Sequence, residues 1–267
     1  MLTVLKDPIA RPRPKAEDIK IDVSKLGKVY ETKKNRFEAL KDVSFYVQNG
    51  EFVTFLGPSG CGKSTVLRIL AGLEEPTDGS VVVGGKEVTG PSVERGMVFQ
   101  SYTLFPWLTV RENIEFGLKL KKMSKQERTE ITDRYLKIVG LENFADSYGK
   151  ELSGGMKQRV AIARSLANNP DVLLMDEPFG ALDAQTKQSM QHLLLDIWKK
   201  EKTTIVFITH DIDEALFLSQ RIYVMDARPG RIAEEINADL NLYKDNELVN
   251  VEKFMKVKKH IVSMLKH

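Results

Sequence analysis

The feature that most constrains this chain is a nine-residue string, Gly57-Pro58-Ser59-Gly60-Cys61-Gly62-Lys63-Ser64-Thr65, between an apolar run at 52–56 and a helical pattern at 64–71. It satisfies G-x-x-x-x-G-K-[ST] in the setting that gives the spacing meaning, a strand before and a helix after. The glycines let successive backbone N–H groups turn toward a polyphosphate, and the helix N-terminus adds partial positive charge. Lys63 is then placed to bridge β- and γ-phosphates, and the Ser64 hydroxyl to ligate Mg²⁺. Cys61 reads as a small spacer within the loop, where an alkylating reagent is expected to block the nucleotide site.

A strand–loop–helix unit of this kind belongs on an open α/β sheet, and the rest of the chain is consistent with one. Short apolar runs recur at 80–83, 96–99, 172–175 and 204–208, with helical patterns at 125–139, 155–167 and 186–200. Alternation at 43–47 followed by Asn49-Gly50 predicts an antiparallel portion near the start. No strong strand run occurs over 110–167, which predicts a helical insertion. Phe254, Val257, Ile261 and Leu265 fall at helical spacing, so 251–267 is expected to be an amphipathic helix. Pro8, Pro12 and Pro14 break up residues 1–18, expected to be a mobile arm without a secretory signal. Residues 19–250 form the expected main domain.

Composition excludes several classes. With 42% hydrophobic and 29% charged residues, the chain is neither disordered nor fibrous. No apolar run approaches the roughly 20 residues of a spanning helix. Its single cysteine cannot form an internal disulfide. Lys and Arg number 40 against 37 Asp and Glu, a net charge of +3. Both signs are mixed, so the basic residues up to Arg36 and at Lys253, Lys256, Lys258 and Lys259 read as solvated surface, not a nucleic-acid stripe.

Ligands of open α/β sheets bind beyond the carboxyl ends of the strands. Three further runs here end in residues suited to phosphate chemistry. The run at 172–175 ends in Asp176, a candidate Mg²⁺ ligand, and Glu177, a candidate base for the attacking water. The run at 204–208 leads through Thr209 to His210, a candidate γ-phosphate sensor. The run at 96–99 leads to Gln100, a candidate water and Mg²⁺ contact. Separately, Ser153, Gly154 and Gly155 precede a helix and form a second anion-binding N-terminus. His192, His260 and His267 show no metal-ligand spacing, and Trp198 reads as core.

The ordered set GPSGCGKST, Gln100, LSGGMKQR, VLLMDE, Ala181-Leu182-Asp183 and His210 resembles the nucleotide-binding subunits of ATP-binding cassette (ABC) transporters, over about 19–232. The resemblance implies a P-loop NTPase (RecA-like) core, an antiparallel β subdomain and a helical subdomain at about 101–165. It assigns residues 57–65 to the phosphate loop, Gln100 to the Q-loop and Ser153, Gly154 and Gly155 to the signature. Asp176 becomes the Walker B acid, Glu177 the catalytic base, Asp183 the D-loop residue and His210 the switch histidine. Tyr30 is the implied adenine-stacking aromatic, with core packing as the alternative.

Each motif occurs once, so the resemblance implies a homodimer that sandwiches ATP and Mg²⁺ between one subunit's phosphate loop and the other's signature. FPWLTVREN at 105–113, THDIDEA at 209–215 and MDARPGRI at 225–232 resemble importers of the nitrate/sulfonate/taurine type. These imply two integral-membrane permease subunits, an extracytoplasmic substrate-binding protein, a small anionic or polar solute, and a place on the cytoplasmic face of the membrane. The stretch 99–107 is where a permease helix is expected to dock, with internal packing of Leu104 and Phe105 as the alternative. The arm and the basic C-terminal helix match no part of the family pattern. The rival is a soluble ABC ATPase of DNA repair or translation, which commonly carries two cassettes, a long coiled coil or a strongly basic surface. No Asn-Lys-x-Asp element supports a GTPase, and Glu177 with His210 disfavours a non-catalytic module.

Overall fold

Two sheets divide the chain, and the division follows the change from alternating to continuous apolar runs. The computed structural model describes residues 13–31, 35–238, 243–244 and 247–265. From the N-terminus, strands β1 (Ile19–Glu31) and β2 (Arg36–Gln48) are followed by β3 (Phe52–Leu56), helix α1 (Lys63–Ala71) and strands β4 (Asp78–Val83), β5 (Lys86–Glu87) and β6 (Arg95–Val98). Three helices come next: α2 (Val110–Leu120), α3 (Lys125–Val139) and α4 (Gly154–Ala167). Then β7 (Val172–Asp176), α5 (Ala184–Glu201), β8 (Thr204–Thr209) and α6 (Ile212–Leu218) alternate. The hairpin β9 (Arg221–Asp226) and β10 (Arg231–Asn237) precedes the last helix, α7 (Val251–Leu265).

Strands β2-β1-β4-β5 form an antiparallel sheet, and β10-β9-β3-β8-β7-β6 a second sheet that is parallel except at β10. In the second sheet β3 and β8 are buried along their whole length and β7 up to Asp176, as expected of strands covered on both faces. Side chains alternate between the faces. Phe52, Leu173, Met175, Ile205 and Phe207 enter a core shared with α4 and α5, while Val53, Phe55, Leu174, Val206 and Ile208 enter one shared with α1 and the antiparallel sheet. Each such residue contributes about 1.5–3 kcal/mol of burial free energy.

The helical layer is fixed by its ends. Thr109 with Glu112 and Ser124 with Glu127 form reciprocal capping boxes at the starts of α2 and α3. Buried Asn113 accepts from Phe105 N at 2.9 Å and donates to the carbonyls of Phe105, Leu108 and Thr109, which holds the loop before α2 in place.

The two tails take different forms. Residues 1–12 of the expected arm and residues 266–267, including His267, lie outside the described residues. Arg13 reaches both carboxylate oxygens of Asp22 at 2.6 Å, and Ala16–Asp18 forms a single 3₁₀ turn ahead of β1. Helix α7 buries Phe254, Val257 and Ile261 against Ala215 and Leu216 of α6 and Ile236 of β10. Lys258 pairs with Asp213, and His260 Nε2 lies 2.9 Å from Glu234 Oε2. Half-buried Trp198 packs on Phe52 and donates to the Gly50 carbonyl at 3.0 Å. Among the described residues no helix is long and apolar enough to cross a membrane.

Candidate active site

Sheet order alone brings most of the candidate residues together. β3, β8, β7 and β6 are consecutive neighbours, and their registers align Leu56 with Thr209, Ile208 with Asp176, and Met175 with Val98. Gly57, His210, Glu177 and Gln100 therefore leave the sheet along one edge, although they are separated by up to 153 positions of sequence (57 to 210).

The phosphate loop ends on a helix that lacks a side-chain cap. Helices α2 to α6 are capped by Thr109, Ser124, Ser153, Asp183 and Asp211. α1 instead opens on Gly62, at φ +95°, with no side-chain hydrogen bond to its first N–H groups, as an anion-binding N-terminus requires. Pro58, Ser59 and Gly60 form the exposed rim, Ser64 and Thr65 are half-buried, and Cys61 and Lys63 are buried. Lys63 Nζ donates to the carbonyls of Gly57 at 2.7 Å and Pro58 at 3.0 Å, and lies 3.9 Å from Glu177 Oε1.

The loop rests on backbone from two other segments. A Cβ on Gly230 would stand 2.2 Å from the Cys61 carbonyl oxygen and 2.9 Å from that of Ala39. Gly230 also donates to the Ala39 carbonyl and accepts from Lys41 N. The MDARPGRI turn thus seats the back of the phosphate loop against β2. The motifs do not assign Gly230 this role; its signal in the sequence is a glycine just after Pro229 within MDARPGRI.

Cys61 departs from its expected reactivity. It is fully buried in the core, and burial pushes its thiol above the ordinary value despite the nearby Lys63 ammonium. A buried, protonated thiol is a poor target for alkylation, so blockage through Cys61 is not expected of the folded protein.

Ser64 Oγ donates to Asp176 Oδ1 at 2.9 Å. Burial pushes the Asp176 carboxyl above its usual range; the Ser64 hydrogen bond opposes this and the Glu177 charge adds to it. Glu177 adopts φ +41°, a left-handed conformation at the turn out of β7. Its Oε2 lies 3.1 Å from His210 Nδ1. Gln100 is exposed, and the Cβ position of Gly180 lies 3.8 Å from its Nε2 and 4.0 Å from Glu177 Oε2. Tyr30 lies outside the core, 36% exposed: its hydroxyl bonds to Glu74 and lies 3.5 Å from Thr65 Oγ1 on α1.

The signature residues lie in a different neighbourhood. Ser153 caps α4 by accepting from Met156 N, and Gly154 and Gly155 stand against Tyr102, Leu182 and Thr186. Asp183 caps α5 through Thr186 N at 3.0 Å. Among the described residues, the side-chain hydrogen bonds and close contacts of Ser153, Gly154, Gly155 and Asp183 go to Met156, Tyr102, Leu182 and Thr186 and not to residues 57–65. In the helical layer, Leu104 packs on the core and Phe105 on Phe116, at 4.4 Å between ring centroids. Trp107 is 69% exposed.

Comparison with known proteins gives a consistent picture. The ABC transporter family matches over residues 40–180. The nitrate import ATP-binding protein NrtD of Synechocystis sp. is 54% identical, covering 85% of each chain. The taurine import ATP-binding protein TauB of Pelagibacter ubique is 48% identical over 90% of this chain and 92% of its own. An ATP-binding cassette solved as a dimer in a post-hydrolysis state with ADP and Pi superimposes with a TM-score of 0.73 at 36% identity, covering 82% of this chain and 98% of that one. With the phosphate loop, Asp176, Glu177 and His210 on adjacent strand ends, the chain belongs to the ABC transporter family as an ATP-binding, ATP-hydrolysing subunit.

Proposed function

We propose that this chain energises uptake of a small anionic or polar solute of the nitrate, sulfonate or taurine type, as one of two ATPase subunits beneath a pair of membrane permease subunits. The observation that carries the reading is the split site. Residues 57–65, Asp176, Glu177 and His210 gather on one sheet edge, while Ser153, Gly154 and Gly155 stand apart with Tyr102 and Thr186. Two copies arranged head to tail complete both sites, each signature facing the partner's phosphate loop. ATP then links the subunits, and its hydrolysis separates them.

Within each site, Tyr30 stacks on adenine, the loop N–H groups hold the phosphates and Lys63 bridges the β- and γ-phosphates. The Ser64 hydroxyl and the Asp176 carboxylate are hard oxygen donors 2.9 Å apart, with Gln100 as a further contact, which suits a Mg²⁺ shared with the nucleotide. The chemistry a bound Mg²⁺ supplies there is neutralisation of phosphate charge. Glu177 accepts a proton from the attacking water as the new P–O bond forms and the bond to the ADP oxygen breaks. His210 holds Glu177 in line and faces the γ-phosphate. General-base help of this kind contributes about 10²–10⁴-fold.

The permease contact is the surface around Trp107, Phe116 and Leu120, all exposed and apolar on the helical layer. The chain itself sits on the cytoplasmic face of the membrane, and an extracytoplasmic binding protein delivers the solute. Co-purification tests this: the full chain is expected to bring down a polytopic hydrophobic subunit, and Trp107→Ala with Leu120→Ser to release it. ATPase activity stimulated by nucleic acid, with no membrane partner, would overturn the importer reading.

A further inference from the structure

The first turn of α5 is tied in three directions. Asp183 caps it, and Thr186 faces α4, where a Cβ on Gly155 would stand 2.5 Å from Thr186 Cγ2. Lys187, the next residue, turns the other way, toward the loop that carries His210. Its Nζ donates to Asp211 Oδ2 at 2.7 Å and lies 3.4 Å from Glu214 Oε1. Asp211 follows His210 directly, and its Oδ1 caps α6 by accepting from Asp213 N at 2.9 Å and Glu214 N at 3.2 Å. Glu214 is buried and also accepts from Gln191 Nε2 at 3.0 Å. Lys187 and Glu214 line the same cleft, of about 90 Å³, as Glu177, Thr209 and His210.

From this geometry we infer that Lys187 is a positioning residue for ATP hydrolysis: by clamping Asp211 it fixes the backbone that presents His210 to Glu177, and ties that loop to the helix headed by Asp183. Neither Lys187 nor Asp211 touches the reacting atoms. Thr209 is held as the buried last residue of β8, but His210 beyond it is largely exposed, and its side chain meets Glu177. Asp211 N donates to Thr209 Oγ1 across the histidine, and the Asp211 carboxylate held by Lys187 caps α6 beyond it, so the turn around His210 is tied at Asp211. Partial burial works against the Lys187 ammonium, but Asp211 and Glu214 outweigh it and hold the group protonated. The Lys187–Asp211 pair is partly exposed and adds little to fold stability, and buried Glu214 keeps the hydrogen bond from Gln191 when Lys187 is removed. Misplacing a catalytic group by about 1 Å costs on the order of 10²-fold in rate. Loss of Lys187 therefore falls on turnover more than on the fold. The same helix abuts Gly155, so the strut also joins the histidine serving this subunit's ATP to the signature serving the partner's.

The inference rests on the reading of Glu177 and His210 as the hydrolytic pair, and steady-state ATPase kinetics of the full chain separate the two. Lys187→Met is expected to lower kcat at least tenfold with KM for ATP within about twofold, and Lys187→Arg to recover most of the loss. Asp211→Asn, which keeps an oxygen for the α6 cap but weakens the ion pair, is expected to lower kcat likewise, and serves if Lys187→Met fails to fold. In a His210→Ala background, Lys187→Met should change the residual rate less than twofold, because Lys187 acts through the histidine. Wild-type kcat in Lys187→Met, or a further tenfold loss in the His210→Ala background, overturns the inference. Wild-type kcat in His210→Ala alone overturns the underlying site reading instead.

Discussion

Replacing Gly230 with alanine tests whether the turn between β9 and β10 supports nucleotide binding. Gly230 is not required for a left-handed φ; it is required because backbone crowds it, with the Cys61 oxygen 2.2 Å and the Ala39 oxygen 2.9 Å from where a Cβ would go. Contacts under 3.0 Å to backbone force one segment to move. The candidates are β2, anchored in its sheet on both ends of Ala39, and the phosphate loop itself. Overpacking of this kind costs about 1–3 kcal/mol, which for a domain of this size lowers Tm by about 2–12 °C. Because the Cys61 carbonyl lies inside the loop, the shift also disturbs the N–H groups beside it, so KM for ATP should rise severalfold. Gly90→Ala is the control, since nothing lies within 4 Å of its Cβ position and its φ is ordinary. Thermal unfolding and ATPase titrations of the two variants decide the matter. If Gly230→Ala melts with Gly90→Ala and keeps the wild-type KM, the turn does not support the loop.

Three further expectations follow from the packing and charge. Arg221 is 3% exposed and holds both carboxylate oxygens of buried Glu51, so Arg221→Met strands that carboxylate and should cost about 3–5 kcal/mol in urea unfolding; adding Glu51→Gln should recover much of it. Cys61 should react with iodoacetamide far more slowly in the folded chain than in urea, and equal rates would contradict its burial. Asp176→Asn should stabilise the fold at pH 7 while removing turnover. Burial raises the native pKa of Asp176, so its carboxyl contributes most below the unfolded pKa and loses that contribution as pH rises through the native value. The asparagine's advantage in Tm should therefore grow from pH 3 upward, and a constant advantage would refute the cause assigned.

Much of this arrangement is legible in the chain, for a physical reason. Runs such as 172–175 and 204–208 are buried on both faces, so their apolar residues are continuous and their ends are marked by the polar residues that follow, Asp176 in one and Thr209 with His210 in the other. Strand β10 is harder to read because it is an edge, and apolar Ala233 at an exposed position with Glu234 on the more buried side breaks the alternation that Arg231, Glu235 and Asn237 otherwise follow. Helix α6 spans two turns, too short for a periodic signal. Close approach is tertiary, so the crowding at Gly230 and the reach of Lys187 to Asp211 appear only when strands distant in sequence become neighbours. The separation of Ser153 from Lys63 is likewise invisible in motif order, and the proposed pairing of two copies rests on it.

The proposed pairing can be measured directly. Full-length Glu177→Gln with ATP and Mg²⁺, followed by sedimentation velocity and ATPase assay, should form an ATP-dependent dimer while turnover falls about 10²–10⁴-fold. Adding Ser153→Arg should abolish that dimer without unfolding the chain. A Glu177→Gln variant that hydrolyses ATP at the wild-type rate, or stays monomeric with ATP, would contradict the account.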